Sequence, residues 1–275
     1  MTERPAGPAN GLEWFGNELE EALRHSGKKG AELAAFTGYK PPYVSKVKNG
    51  QALAAPEFAE GCDRFFNTSG YFVRTLARIA SYGHPEWFVP YLRLEERAAR
   101  VLDFSAYLIM GIFQTPAYAE ALFRAAHPRD TDDMIKEKVG LRLQRRGVIE
   151  RPSPPLLWVI LDESCLRREV GDRSVMCGQM EHLLTVAQTP DVTVQVLPFD
   201  SGAPAAAEPF TLLTFGEDDD QSPVLYSEAQ GLGRVIDSAG VVATGTERYE
   251  RLQADALSPE KTLRAIRDAI KEYAR

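Results

Sequence analysis

Apolar residues recur at helical spacing through the first eighty positions and gather into strand-length runs further on. Leu12, Phe15, Leu19 and Leu23 fall on one face of a first helix over 12–25, because positions three and four apart lie above one another on a helix. Leu33 with Ala34, and Val44 with Val47, are the inward faces predicted for two short helices over 28–36 and 41–48. Gly38 stands between them, where a sharp turn favours a residue that tolerates positive φ, and Asn49-Gly50 stops the second helix. Phe58, Cys62 and Phe65/Phe66 mark a fourth helix from Pro56 to Phe66, and Phe72, Leu76 and Ile79 a fifth over 67–80. Gly83-His84-Pro85 then interrupts the pattern, and the domain boundary is placed there.

Beyond the boundary the periods mix. Residues 86–101 offer Leu92, Leu94 and Ala98/Ala99 for packing, and Phe104–Met110 reads as an extended run. Thr115-Pro116 is the cap and first residue of a helix with Tyr118, Leu122 and Phe123 inward. Asp130–Arg146 is a charged helix with Met134, Val139 and Leu143 on one side. LLWVILDE, VTVQVLPF, FTLLTF and VLYSE read as four strands. A helix over Ser174–Thr189 separates the first two, with Met176, Met180, Leu183 and Leu184 inward, and DSGAPAAAEP is a loop before the third. Helices over Thr246–Ala256 and Pro259–Tyr273 close the chain. The expected class is α+β: an all-α five-helix head over 12–82, then a larger mixed α/β body over 83–275.

Composition narrows the setting. With 44% hydrophobic and 26% charged residues the chain reads as soluble and globular. No apolar run approaches the ~20 residues that span a bilayer. Residues 1–11 lack the apolar core of a signal peptide and read as a disordered tail. Cys62, Cys165 and Cys177 are few and widely spaced, which suits a reducing cytoplasm, and the four histidines have no partners at zinc spacing, so no metal or other cofactor is expected.

Charge is uneven. The formal net charge is -7, yet Arg24–Gly50 carries six basic residues against one acid. Such a patch attracts a phosphate backbone, whereas the acidic body would repel nonspecific DNA. The alternative is a set of ordinary solvated lysines. Arg142, Arg145, Arg146 and Arg151 crowd the end of the charged helix. They read either as complements to its dipole or as an anion-binding edge.

The words L-A-x-x-x-G at Leu33–Gly38 and V-S-x-V-x-N-G at Val44–Gly50 resemble the Cro/phage-repressor (XRE) class of helix-turn-helix. That resemblance implies double-stranded DNA as partner, with base-reading places at Pro41, Pro42 and Lys46. Lys40 would cap the reading helix, and Lys28, Lys29 and Asn49 would lie near phosphates. Prolines here depart from the Gln or Ser usual in the class, and Lys48 from a common Glu. Proline suits a first helical turn but makes only apolar base contact. Direct readout therefore rests on Lys46 and on Tyr43, placed with it on the outward face.

EWFVPYLRLE, GIFQTPAYAEAL, RLQRRGVIER, LDESCLRREVG, VMCGQMEHLL and ALSPEKTLRAI, with the strand words, are similar to the DUF5753-type domain found behind such heads in actinobacterial (Streptomyces-like) regulators. The resemblance implies regulation of development and antibiotic production, often beside small partner proteins. In the body, Gln114, Tyr118, Arg142, Glu163, Arg167 and Tyr226 are polar groups within apolar words, the expected lining of an effector pocket. Asp162-Glu163 near Arg167-Arg168 is a polar cluster, but no catalytic triad, phosphate loop or metal motif accompanies it, and Glu163–Arg167 has the spacing of a helical ion pair. The sequence thus reads as a cytoplasmic, non-enzymatic, dimeric regulator that senses a small molecule or a small partner protein. The competing reading is a protein-interaction adapter without sequence-specific DNA binding.

Overall fold

The computed structural model describes residues 11–50, 54–81, 87–229 and 232–275; side chains of 11–13 and 79–81 lie outside the description. The expectations for residues 1–10 of the tail, the Leu12 and Ile79 side chains and the Gly83-His84-Pro85 boundary therefore fall outside the described residues, and Gly11, also expected in the tail, opens the first helix. The chain divides into two compact units, Met1–Pro85 and Glu86–Arg275, and its class is α+β.

Unit one holds α1 (Gly11–Ser26), α2 (Gly30–Thr37), α3 (Pro41–Lys48), α4 (Pro56–Phe66) and α5 (Tyr71–Ser81). Phe15, Leu19, Leu33, Val44, Val47, Phe58, Cys62 and Phe72 form its core. Phe65 and Phe66 stay half-buried at its margin. Burial pushes the Cys62 thiol up to about 12, which leaves it a small apolar core residue. Gly38 caps α2 at φ 77, the left-handed turn that its lack of a Cβ permits. The entry to α5 is built by Asp63. Its carboxylate accepts Phe72 N–H and Val73 N–H, both at 3.0 Å, and the Thr68 hydroxyl at 2.6 Å.

Unit two begins with α6 (Val89–Glu95) and β1 (Arg100–Ser105). Then come α7 (Pro116–Ala126), α8 (Asp132–Gln144), α9 (Gly147–Glu150) and β2 (Leu156–Asp162), followed by α10 (Ser164–Arg167), α11 (Arg173–Val186) and β3 (Val192–Leu197). β4 (Phe210–Thr214), β5 (Val224–Ala229), β6 (Leu232–Ile236), α12 (Ala239–Asp255) and α13 (Pro259–Tyr273) complete it. The sheet order is β3-β2-β1-β4-β5-β6; β1, β2 and β3 run parallel, and β4, β5 and β6 are added antiparallel. Parallel strands need covered faces. Val101, Val159, Leu161, Val194 and Leu213 pack under α11 and α13, while Leu102, Phe104, Ile160, Leu212 and Leu225 pack with Tyr249 and Leu252 of α12 on the other side.

Several elements differ from the expected ones. The first strand is Arg100–Ser105 rather than Phe104–Met110, because both faces of RVLDFS are buried and the run then breaks into a short 3-10 turn at Gly111–Phe113. β6 has no counterpart among the four expected strands; its LGRVI pattern is that of a largely exposed edge, with Leu232 68% exposed. α8 buries Ile135 and Leu141, not Met134, which is 47% exposed. α12 starts at Ala239, ahead of the expected Thr246.

Candidate functional site

In the head, α2 and α3 bury Leu33, Ala34, Val44 and Val47, so their opposite sides face solvent. Lys40 occupies the N-cap of α3, with Pro41 and Pro42 in its first turn, where a missing N–H costs no helical bond. Lys29, Lys40, Pro41, Pro42, Lys46 and Asn49 are all exposed. The Asn49 N–H donates to Ser45 O at 3.0 Å and closes the helix.

Three residues of the expected interface are held elsewhere. Tyr43 does not project outward. Its hydroxyl accepts the Ala55 N–H at 2.8 Å, and its ring stacks on Tyr39 and meets Phe58 edge-on at 5.3 Å. The aromatic body gains more in that cluster than in water. Lys48 pairs with Glu20 of α1 at 2.8 Å, which cancels part of the patch's charge. Lys28 Nζ donates to Phe65 O at 2.9 Å and lies 4.1 Å from that ring's centre.

In the body a cavity of about 360 Å³ opens beside the C-terminal end of β1. The strand register sets Asp103 of β1 opposite Thr211 of β4, and Thr211 opposite Tyr226 of β5, so three polar side chains form one row on one sheet face. Asp103 is 7% exposed and accepts from Ser105 Oγ at 2.6 Å and Thr211 Oγ1 at 2.7 Å. Burial outweighs those bonds and raises its carboxyl to about 6. Tyr226 stacks on Tyr91 of α6, centroids 4.2 Å apart, and its hydroxyl donates to Glu228 at 3.1 Å.

The arginines at the end of α8 turn inward. Arg145 makes twin bonds to Glu95 of α6, at 3.0 and 2.8 Å, and Tyr91 Oη donates to the same carboxylate at 2.5 Å. Arg142 donates to Gln114 Oε1 at 2.7 Å and lies over the Phe123 ring at 4.7 Å. Gln114 in turn donates to Ile109 O at 2.7 Å and offers its own carbonyl to Arg146. These residues are therefore bonded within the fold rather than arrayed as a solvated dipole complement. Gly111 makes the approach possible: a Cβ there would lie 2.5 Å from Arg145 Nη1 and 3.1 Å from Arg142 Cδ.

Of the six residues expected in the pocket, Arg142 and Tyr226 line it, and Gln114 supports Arg142 from behind. Tyr118 is 1% exposed in the main core, so it does not line the cavity. Glu163 and Arg167 lie elsewhere. Arg167 pairs with Glu163 at 3.1 Å and with Glu272 of α13 at 2.6 Å, and the other Glu163 oxygen accepts Phe199 N–H. They bind α10 to its neighbours. Asp103, Ser105, Thr211 and Tyr91 were not anticipated, and Arg145 was singled out only as one of the arginines crowding the end of the charged helix. The acid within the apolar word VLDF was the available signal, since a carboxylate in a strand buried on both faces requires partners.

The profile of a family described as a domain of unknown function (DUF5753) matches residues 88–268. No curated protein and no solved structure matches the chain. No helix among the described residues is long and apolar enough to cross a membrane.

Proposed function

The chain belongs to the DUF5753 family, and we propose that it is a DNA-binding transcriptional regulator whose α2–α3 pair reads operator DNA and whose body senses a small molecule. The observation that carries this reading is the division of α3: Val44 and Val47 are buried while Lys40, Pro41, Pro42 and Lys46 are exposed. A helix so anchored presents its N-terminal half as a major-groove element would require. The XRE resemblance of the same residues supports the assignment. Lys29, Lys40 and Asn49 contact phosphates in this reading, and Lys46 contacts a base edge or phosphate. Two heads in a homodimer would engage half-sites about 34 Å apart. The reading assigns no catalysis to the chain.

Selection from a random-sequence duplex pool tests the proposal. The purified chain is expected to enrich a defined, twofold-related motif; recovery of the unselected pool at low salt would overturn it. A second reading, the adapter, draws support from Tyr43, Lys48 and Lys28 being engaged within the head. It predicts capture of a small partner protein with no enriched duplex.

A further inference from the structure

The body's cavity holds two guanidinium groups with different status. Arg145 is neutralised by its twin bonds to Glu95. Arg142, half-buried, is bonded to the neutral oxygen of Gln114 and makes no ion pair among the described residues. A guanidinium taken out of water without a carboxylate partner is costly. Desolvation and the neighbouring Arg145 charge draw Arg142 down to about 10, which registers that cost.

The acids on the wall offer little competition for it. Both Asp103 oxygens already accept hydroxyl bonds, from Ser105 and Thr211. Glu228 is exposed at the rim, where water screens it, and accepts from Tyr226. On the face that carries Asp103 the wall adds the rings of Phe88, Tyr91 and Tyr226. Arg142 itself is fixed in place by Gln114 and Phe123, so an anion would meet a pre-organised fork.

We propose that this cavity binds a small monocarboxylic acid with a flat apolar body, its carboxylate on Arg142 and its body against the aromatic wall. A multiply charged phosphate fits less well, because Asp103 and Glu228 would repel it while one free guanidinium attracted it. A cation would face Arg142, with only the screened Glu228 at the rim to attract it. The cavity's 360 Å³ suits a compact ligand. The biological role of this binding rests on the sensing reading above; its chemistry does not.

Calorimetric titration of the full chain tests it, with benzoate and phenylacetate against their amides, phenethylamine and inorganic phosphate. At least one acid is expected to bind at least about tenfold more tightly than its amide. Arg142→Met, checked for an unchanged melting profile, is expected to abolish that preference. Failure of both acids to bind at millimolar concentration overturns the proposal, as does equal binding of acid and amide. Stronger binding of phosphate or phenethylamine overturns it too. If Arg142→Met does not fold, the acid–amide comparison on the wild type decides alone. Operator affinity measured with and without the bound acid separates the two claims. An acid that binds without changing operator affinity supports the ligand assignment and contradicts sensing. A neutral or cationic compound that changes it does the reverse.

Discussion

Asp103 concentrates the physics of the body in one side chain. Its folded carboxyl titrates near 6, above the ordinary 3.8, because burial disfavours the charged form. A raised folded value means the protonated state is preferred by the fold. Stability from this group is thus full below about pH 4 and lost as pH rises towards 6. The loss is on the order of 3 kcal/mol for a shift of this size. Asp103→Asn is expected to lack that fall, so urea denaturation of wild type and variant should diverge between about pH 4 and 6; parallel profiles would contradict the assignment. Gly111 makes a second case. Its missing Cβ admits Arg145, which the Glu95 bonds hold in place. Gly111→Ala should cost about 1–3 kcal/mol in the same measurement, as overpacked sites do. Arg142 and Tyr226 could be picked out of the sequence because they are polar within apolar words. Glu163 and Arg167 satisfied the same test, but they bond to Phe199 and Glu272. Sequence spacing does not reveal which tertiary partner claims a charge.

At the scale of elements, periodicity carried the helices well where one face alone is buried. α1, α3 and α13 have that character, and the caps at Thr115 and Gly38 follow from local chemistry that the sequence displays. Strand register and edges were less legible. β1 is buried on both faces, which erases the alternation that marks a half-exposed strand, and β6 is a five-residue edge whose apolar run is interrupted by Gly233 and Arg234. The Asp63 cap of α5 was also missed, since its donors Phe72 and Val73 are nine and ten residues away. Removing it strands two N–H groups and the Thr68 hydroxyl. Asp63→Ala is expected to destabilise the head by about 2 kcal/mol, read as faster hydrogen exchange of buried head amides in the full chain. Exchange unchanged from wild type would show that the cap is dispensable.

For the whole molecule, the charge distribution and the two-unit division matter most. The basic stretch lies within Met1–Pro85, while the acidic excess lies in residues 81–275. The uncommitted part of that stretch is smaller than the sequence count implied, because Lys48 is paired with Glu20 and Lys28 is hydrogen-bonded to Phe65 O. On the proposed DNA-binding reading, a modest number of phosphate contacts, and hence a moderate salt slope, is expected. The most direct test of the account is the affinity of the full chain for its selected duplex across a salt series, beside Lys46→Ala. Affinity is expected to fall with salt, and the variant to bind more weakly. A variant slope lower by about one would mean that Lys46 contacts a phosphate, and an unchanged slope with altered base preference that it reads a base. No duplex binding at low salt, or a variant identical to wild type, would contradict it.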